Sequence, residues 1–476
     1  MSTPSLWTTF QLTYPERFLA VPKSGGDTDG SVPAAVGIRA WLSRAMDLPI
    51  SLSIREDVNP QAGVAGGSDS LRDRTIMEIS KVIGEFSARC TSLDLDVSPN
   101  AFRALCYDAA GEAERTFYLL RSLSIGTTRS AWTGWDAQTA HNLPFFNGSI
   151  SLHSLSLSTS SLPVDLLQVA QNSLDSLTEL NLTYRLGSGG TRPTPLLVFQ
   201  ILQRCLGLRV CRLTLGETNQ PLGFWPQGER HRMNFLTELV VVDEFPRTTV
   251  SLMAALCLPS LERLSYTHSV GKYLDLPLNA AGRPLLPIQS LQLRRQNFHP
   301  SPLVRLTLRL TTDDEDEEPD ITDAVSIYLA SEGKSIRILE MTEASYETTL
   351  LFVRPYIPRT TLSGVQQPPP TILCPDLQTV IWDSSGEDTR MVILEMVRKR
   401  SHSNTDVYCP QLRQVDVVFW EDRPEEMDKV EKELRDMIQS GNNGLRICYR
   451  IYGWTRPGSD GGLTSREGVL ISGSSS

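Results

Sequence analysis

LHSLSLSTSSLPVDLLQVAQNSLDSLTELNL, Leu152 to Leu182, holds two copies of one short pattern separated by a stretch that can form a helix. LHSLSL and LTELNL both read L-x-x-L-x-L. Leu155 and Leu157, like Leu180 and Leu182, alternate with small polar residues, so each piece predicts a strand with one buried face. Between them Pro163 opens VDLLQVAQ, which fits a short helix begun by proline at its first turn. One strand and one helix make one turn of a repeating coil.

The pattern continues outward in both directions. Its second apolar positions are Leu93, Leu123, Leu155, Leu180, Leu213, Leu239, Leu264, Leu291, Leu339, Val380 and Val415, at intervals of 25 to 48 residues. LVRLTL at Leu303 also fits, but it follows the Leu291 unit so closely that it reads as an extension of a neighbour. Helices are expected over Pro33 to Asp47, Leu71 to Ser87, Thr194 to Leu206, Thr248 to Cys257, Ile321 to Glu332, Thr389 to Lys399 and Pro424 to Gln439. A last strand is expected over Leu445 to Tyr452. The expected fold is therefore an α/β, leucine-rich-repeat-like solenoid, a horseshoe of irregular repeats with a parallel concave sheet and helices on the convex side. Residues 1–49 read as an N-terminal segment with a capping helix, 50–454 as the solenoid and 455–476 as a disordered tail. In the clearest units the ninth position, where leucine-rich repeats carry Asn, holds Ser98, Thr128, Ser160, Arg185, Glu244, Ser269, Gln296 and Ala344, which predicts irregular turns behind the sheet. Arg359 to Ile372, with three consecutive prolines, reads as a linker.

Bulk properties narrow the function. A single globular core is unusual above roughly 250 to 300 residues, so 476 residues suit a repeat array better. A net charge of −10 argues against a nucleic-acid or anionic-membrane binder. No apolar run reaches the roughly 18 residues of a membrane span, and the N-terminus lacks a signal-peptide pattern. The expected location is intracellular, in cytoplasm or nucleus. The eight cysteines form no C-x-x-C pair. Cys205, Cys374 and Cys409 each lie three residues before the first leucine of a unit, where a small apolar side chain enters the core.

Catalytic signatures are missing. There is no H-E-x-x-H and no G-x-S-x-G, and Gly333-Lys334-Ser335 lacks the upstream glycine of a phosphate loop. The chain reads as no enzyme, with no catalytic, metal or cofactor residues. Interest falls instead on side chains between the leucines, which point out of the concave sheet. Arg212, Glu238, Arg263, Arg294 and Glu340 are the candidate partner-binding residues, with Arg263 and Arg294 placed to grip an acidic segment of a target protein. The acid run Asp313 to Glu318 is the internal rival for those arginines. A solvated surface of internal ion pairs is the other reading of the same residues.

TPSLWTTFQL followed by GIRAWLSRAMDLPISLSI resembles the segment directly after the F-box in the divergent fungal F-box proteins, especially those of mushrooms. ILEMVRKRSHSN leading to CPQLRQVDVVFW and a charged helix is similar to their final repeat. Trp7 and Trp41 are the most specific residues of the match. The resemblance implies the substrate-receptor part of an SCF-type ubiquitin ligase, whose repeats hold a target protein on the concave face. The F-box itself, expected upstream of Thr3, is missing, so binding of a Skp adaptor is implied only if an upstream F-box exists. The alternative is a leucine-rich-repeat scaffold with no role in ubiquitin transfer.

Overall fold

Alternating burial forces these segments into strands although Leu and Ser are not strong strand formers: only the period of two puts every leucine on one side. The computed structural model describes residues 8–14, 33–56, 69–97, 105, 117–126, 152–158, 174–183, 194–215, 230–243, 246–268, 286–291, 293, 303–310, 318–342, 346–352, 373–385, 387–401, 412–421, 424–440, 445–454 and 463–471. The helix expected after Pro163, the ninth positions, most of the acid run, the 359–372 linker, Trp7, Cys409 and Arg294 lie outside them. The protein is α/β with mostly parallel sheet pairing, and it divides into two compact units, Met1–Gly216 and Glu217–Ser476. A single 50–454 unit was the expectation from sequence.

In the first unit seven strands pair in chain order and in parallel: β1 (Thr9–Tyr14), β2 (Ile50–Glu56), β3 (Cys90–Asp96), β4 (Ser122–Gly126), β5 (Ser154–Ser158), β6 (Glu179–Thr183) and β7 (Val210–Leu215). Their inward rows run Leu52, Leu93, Leu123, Leu155, Leu180 and Cys211, then Ile54, Leu95, Ile125, Leu157, Leu182 and Leu213, all buried. Leu213 thus aligns with Leu182 rather than with Leu180 as expected. A scan for leucine passes over Cys211, which fills the fourth position counted from Leu208. The shift is two residues, so the faces are unchanged.

Helices α1 (Pro33–Arg44), α2 (Asp69–Glu85) and α3 (Pro195–Leu202) also belong to this unit. Phe10 of β1 meets Trp41 of α1 with ring centroids 5.8 Å apart, and Arg39 bridges α1 to Glu85 of α2. Thr194 caps α3, its hydroxyl accepting from the Leu197 N–H at 3.3 Å ahead of Pro195 in the first turn.

The second unit adds β9 (Glu238–Asp243), β11 (Arg263–His268), β12 (Arg305–Leu310), β13 (Ile338–Thr342), β14 (Thr379–Ser385), β15 (Gln414–Glu421) and β16 (Arg446–Trp454), again parallel neighbours in that order, and a small pair formed by β8 (His231–Arg232) and β10 (Leu256–Cys257). The inward row is Leu239, Leu264, Leu306, Leu339, Val380, Val415 and Ile447. The rung after β11 is therefore β12 rather than the expected one at Leu291. Leu291 and Leu293 are buried, but they follow a 3-10 turn, Pro287–Ser290, and carry no strand.

Backbone hydrogen bonds trace the same order. The carbonyl of Thr237 accepts from the N–H groups of Glu262 and Arg263, that of Glu262 from Val304 and Arg305, that of Val304 from Arg337 and Ile338, and that of Arg337 from Gln378 and Thr379. Each rung hands one carbonyl to two donors of the next, and the segment around Leu291 is skipped.

A tight turn leads into several of the strands, closed by a bond from the first-position N–H to the carbonyl three residues earlier: Leu177 to Leu174, Leu208 to Cys205, Leu261 to Leu258, Ile336 to Gly333 and Leu377 to Cys374. The thiols of Cys205 and Cys374 are fully buried at this turn. Cys374 takes a φ of 52° there, and the buried Arg400 donates to its carbonyl and to that of Leu373 at 3.1 and 2.8 Å.

Helices α4 (Pro246–Ala254), α5 (Glu318–Glu332), α7 (Glu387–Ser401) and α8 (Pro424–Ser440) of this unit lie close to the expected spans, and a short α6 (Tyr346–Leu350) was not expected. Within the tail read as disordered, Leu463–Ile471 forms β17, antiparallel to β16. Its alternation is masked by Arg466 and Gly468, two inward residues that are not apolar. Arg466 reaches Asp428 and Glu431 of α8, and Gly468 leaves room for the Tyr449 ring, whose hydroxyl donates to Glu431 at 2.8 Å. A Cβ at Gly468 would collide with that hydroxyl and the ring that carries it.

Candidate recognition face

The side chains between the buried rows form the open face of each sheet. In the first unit that face is built largely of serine. Ser51, Ser92, Ser122 and Ser154 share one row, and Ser53, Asp94, Ser124, Ser156, Asn181 and Arg212 the next. Neighbouring rungs are tied by hydrogen bonds: Ser53 and Arg55 to Asp94 at 2.9 and 3.1 Å, Ser154 to Glu179 at 3.3 Å, and Asn181 to Ser156 at 3.1 Å. Partial burial raises the Asp94 pKa, but donors from Ser124, Arg55 and Ser53 outweigh it and hold the carboxyl below its usual range. Arg212 is exposed on β7 of this unit.

In the second unit the open face carries charge. Arg263 and Arg305 face each other in register on β11 and β12. Each turns to a carboxylate: Arg263 to Glu238 at 3.0 Å, and Arg305 to Glu340 at 2.7 Å, with Thr307 donating to the same Glu340 at 3.0 Å. Val240, Ser265 and Thr307 lie between these pairs and line a hollow of about 200 Å³ rimmed by Glu238, Arg263 and Arg305. Of the expected partner-binding residues, the structure brings together Glu238, Arg263 and Glu340 through Arg305. Arg263 thus has Arg305 as its cationic neighbour. An acidic ligand at Arg263 would compete with Glu238, whose side chain is 14% exposed.

The eighth strand position also faces inward, which the ninth-position template does not reveal. It is apolar at Val97, Leu215, Leu310 and Phe419, but holds Asp243 and His268 on adjacent rungs. The Tyr266 hydroxyl donates to Asp243 at 3.0 Å; burial, then the neighbouring carboxylate, push that hydroxyl's pKa well up. Burial lowers the pKa of His268, and a bond to the Asp243 backbone opposes this in part. These groups are sealed beneath the sheet, where no ligand reaches them.

A second feature of the open face escaped the leucine pattern. Trp420 of β15 stacks on Tyr452 of β16, centroids 4.6 Å apart, and its indole N–H donates to Asp383 of β14 at 3.0 Å. The signal for it was available in V-V-F-W and R-I-Y, where an aromatic falls on an outward position in two successive strands. Among the described residues no helix is long and apolar enough to cross a membrane. No protein-family model matches this chain, and no curated protein matches it.

Proposed function

We propose that the chain is a non-catalytic protein-recognition module of leucine-rich-repeat-like, horseshoe form, which holds a target protein on the open face of its sheet. The observation that carries the reading is the division of labour along β9 to β13. Alternate side chains are sealed in the core, while those between them are mostly part-exposed and include two ion pairs that tie neighbouring rungs, Arg263 to Glu238 and Arg305 to Glu340. A pre-ordered charged surface of this kind gives specificity at low entropic cost on binding. With the likeness of its sequence to fungal F-box proteins, it supports a role as the substrate-receptor part of an SCF-type ubiquitin ligase. An F-box joined to this chain would supply the docking of the Skp adaptor.

The test is capture of targets by the wild-type chain and by Arg305→Glu and Glu340→Arg variants, followed by assay of target ubiquitylation in cells with and without the chain. We expect targets lost on either charge reversal and ubiquitylated only when the chain is present. Targets retained by both variants would contradict recognition by this face. Targets lost with the variants but never ubiquitylated would instead support a scaffold with no role in ubiquitin transfer.

A further inference from the structure

The end of the second sheet holds a cleft of about 570 Å³, floored by outward side chains of β14 to β16 and walled by Glu467, Gly468 and Val469 of β17. Its carboxylates are occupied. Asp416 accepts from Gln414 Nε2 at 3.1 and 2.9 Å and from the Cys448 thiol, and Glu467 faces Arg450 at 3.8 Å. Arg446 differs: among the described residues no carboxylate lies within 4.0 Å of its guanidinium, which meets only the Cys448 sulfur. Just past the other end of the cleft, two residues beyond Val418 and Arg450, stands the Trp420–Tyr452 stack pinned by Asp383. Val469 and Ile471 add exposed apolar surface on β17.

Resting on the recognition reading above, we propose that this cleft seats an extended segment of a partner protein, with a carboxylate at Arg446 and a large apolar or aromatic residue against Trp420 and Tyr452. Charge selects the polarity of the ligand. A basic segment finds Asp416 engaged by Gln414 and Cys448 and must share the exposed Glu467 with Arg450, whereas an acidic one gains a charge-assisted, potentially bidentate contact without breaking an ion pair. Geometry sets the spacing. Arg446 and Tyr452 are six residues apart on one strand, about 20 Å at about 3.3 Å per residue, so the two ligand groups lie about six residues apart, on one face of an extended chain. The stack is held by a neighbouring ring and a hydrogen bond, so little freedom is lost when a partner packs on it, as in the aromatic and arginine anchors that dominate interfaces.

The probe is a fluorescently labelled peptide, glycine and serine except for one glutamate and one tryptophan about six residues apart, titrated with the full chain and followed by anisotropy. We expect saturable binding, weakened at least about tenfold by Arg446→Ala, by Trp420→Ala, and by glutamine for glutamate in the probe. The glutamine probe should lose nothing further on Arg446→Ala, and the bound peptide should slow alkylation of Cys448. Equal affinity for the neutral probe, or for both variants, would overturn the proposal. So would competition by free acetate as effective as by the peptide, which would make the site one for small carboxylates. Self-association through β17 that excludes the peptide would give the cleft to a second copy and overturn it too. Targets that still depend on Arg305 and Glu340 while the peptide fails would sink this inference and leave the recognition reading standing.

Discussion

Replacing Leu180 by aspartate is a severe test of the ladder. Leu180 is 1% exposed and lies in register between Leu155 and Cys211, so its side chain is shared by three rungs. Removing it forfeits about 1.5 to 3 kcal/mol of burial, and truncation to alanine at such sites costs about 2 to 5 kcal/mol once the cavity is counted. Aspartate adds the desolvation of a carboxylate with no partner in an apolar row, a cost of similar or larger size. The adjacent Glu179 is exposed and makes one long contact, 3.3 Å, from Ser154. Glu179→Ala should therefore shift stability by no more than about 0.5 kcal/mol. Hydrogen exchange read by mass spectrometry on β5, β6 and β7 separates the two. We expect Leu180→Asp to collapse protection across all three strands and Glu179→Ala to leave it within error. Equal effects of the two changes would mean that the strand faces are misassigned.

Three further outcomes follow from particular contacts. His268 is held neutral by burial, with its pKa below the ordinary 6.5, so the unfolded chain binds more protons below about that pH and stability falls as the medium is acidified. His268→Gln should therefore lose less of its urea midpoint between about pH 7.5 and about pH 5.5 than the wild type does; an equal or larger loss would exclude this origin. Gly468→Ala drives a methyl against the Tyr449 hydroxyl and should release β17, seen as fast amide exchange over Leu463–Ile471, while unchanged exchange there would show that the ring moves aside freely. Burial pushes the thiols of Cys90, Cys205 and Cys374 up to about 12, so native alkylation near neutral pH should spare them until the chain is unfolded, and rapid native labelling of any of the three would count against the packing of that turn.

Much of the fold was legible because its signal is repeated. Leu93, Leu123, Leu155 and Leu180 in the first unit, and Leu239, Leu264, Leu339, Val380 and Val415 in the second, occupy the inward row that their spacing predicts for each. The failures occur where another residue satisfies the same physics. Cys211 is small and apolar enough to stand in for leucine, so a leucine scan slips by two. LQLRRQ carries the pattern, but β12 takes the place beside β11, and of that stretch the described Leu291 and Leu293 are buried without strand structure. The strand β17 was hidden because its inward residues are an arginine paired to α8 and a glycine that makes room for a tyrosine. At the candidate site, outward parity alone located Glu238, Arg263 and Glu340, since alternation fixes which face a residue is on. It does not fix which residues meet across rungs. That depends on register, and register makes Arg305 the neighbour of Arg263 and sets Trp420 against Tyr452.

The most direct measurement is cysteine-substitution labelling along the face, with and without a captured target. Ser265→Cys and Thr307→Cys place thiols on the open face between the Glu238–Arg263 and Arg305–Glu340 pairs, and Met391→Cys places one on the exposed side of α7. In the free chain all three should react with a thiol reagent. With target at saturation we expect labelling at Ser265→Cys and Thr307→Cys to be suppressed and that at Met391→Cys to persist. Suppression at Met391→Cys with undiminished labelling at the two sheet positions would contradict the assignment of the open face as the recognition surface.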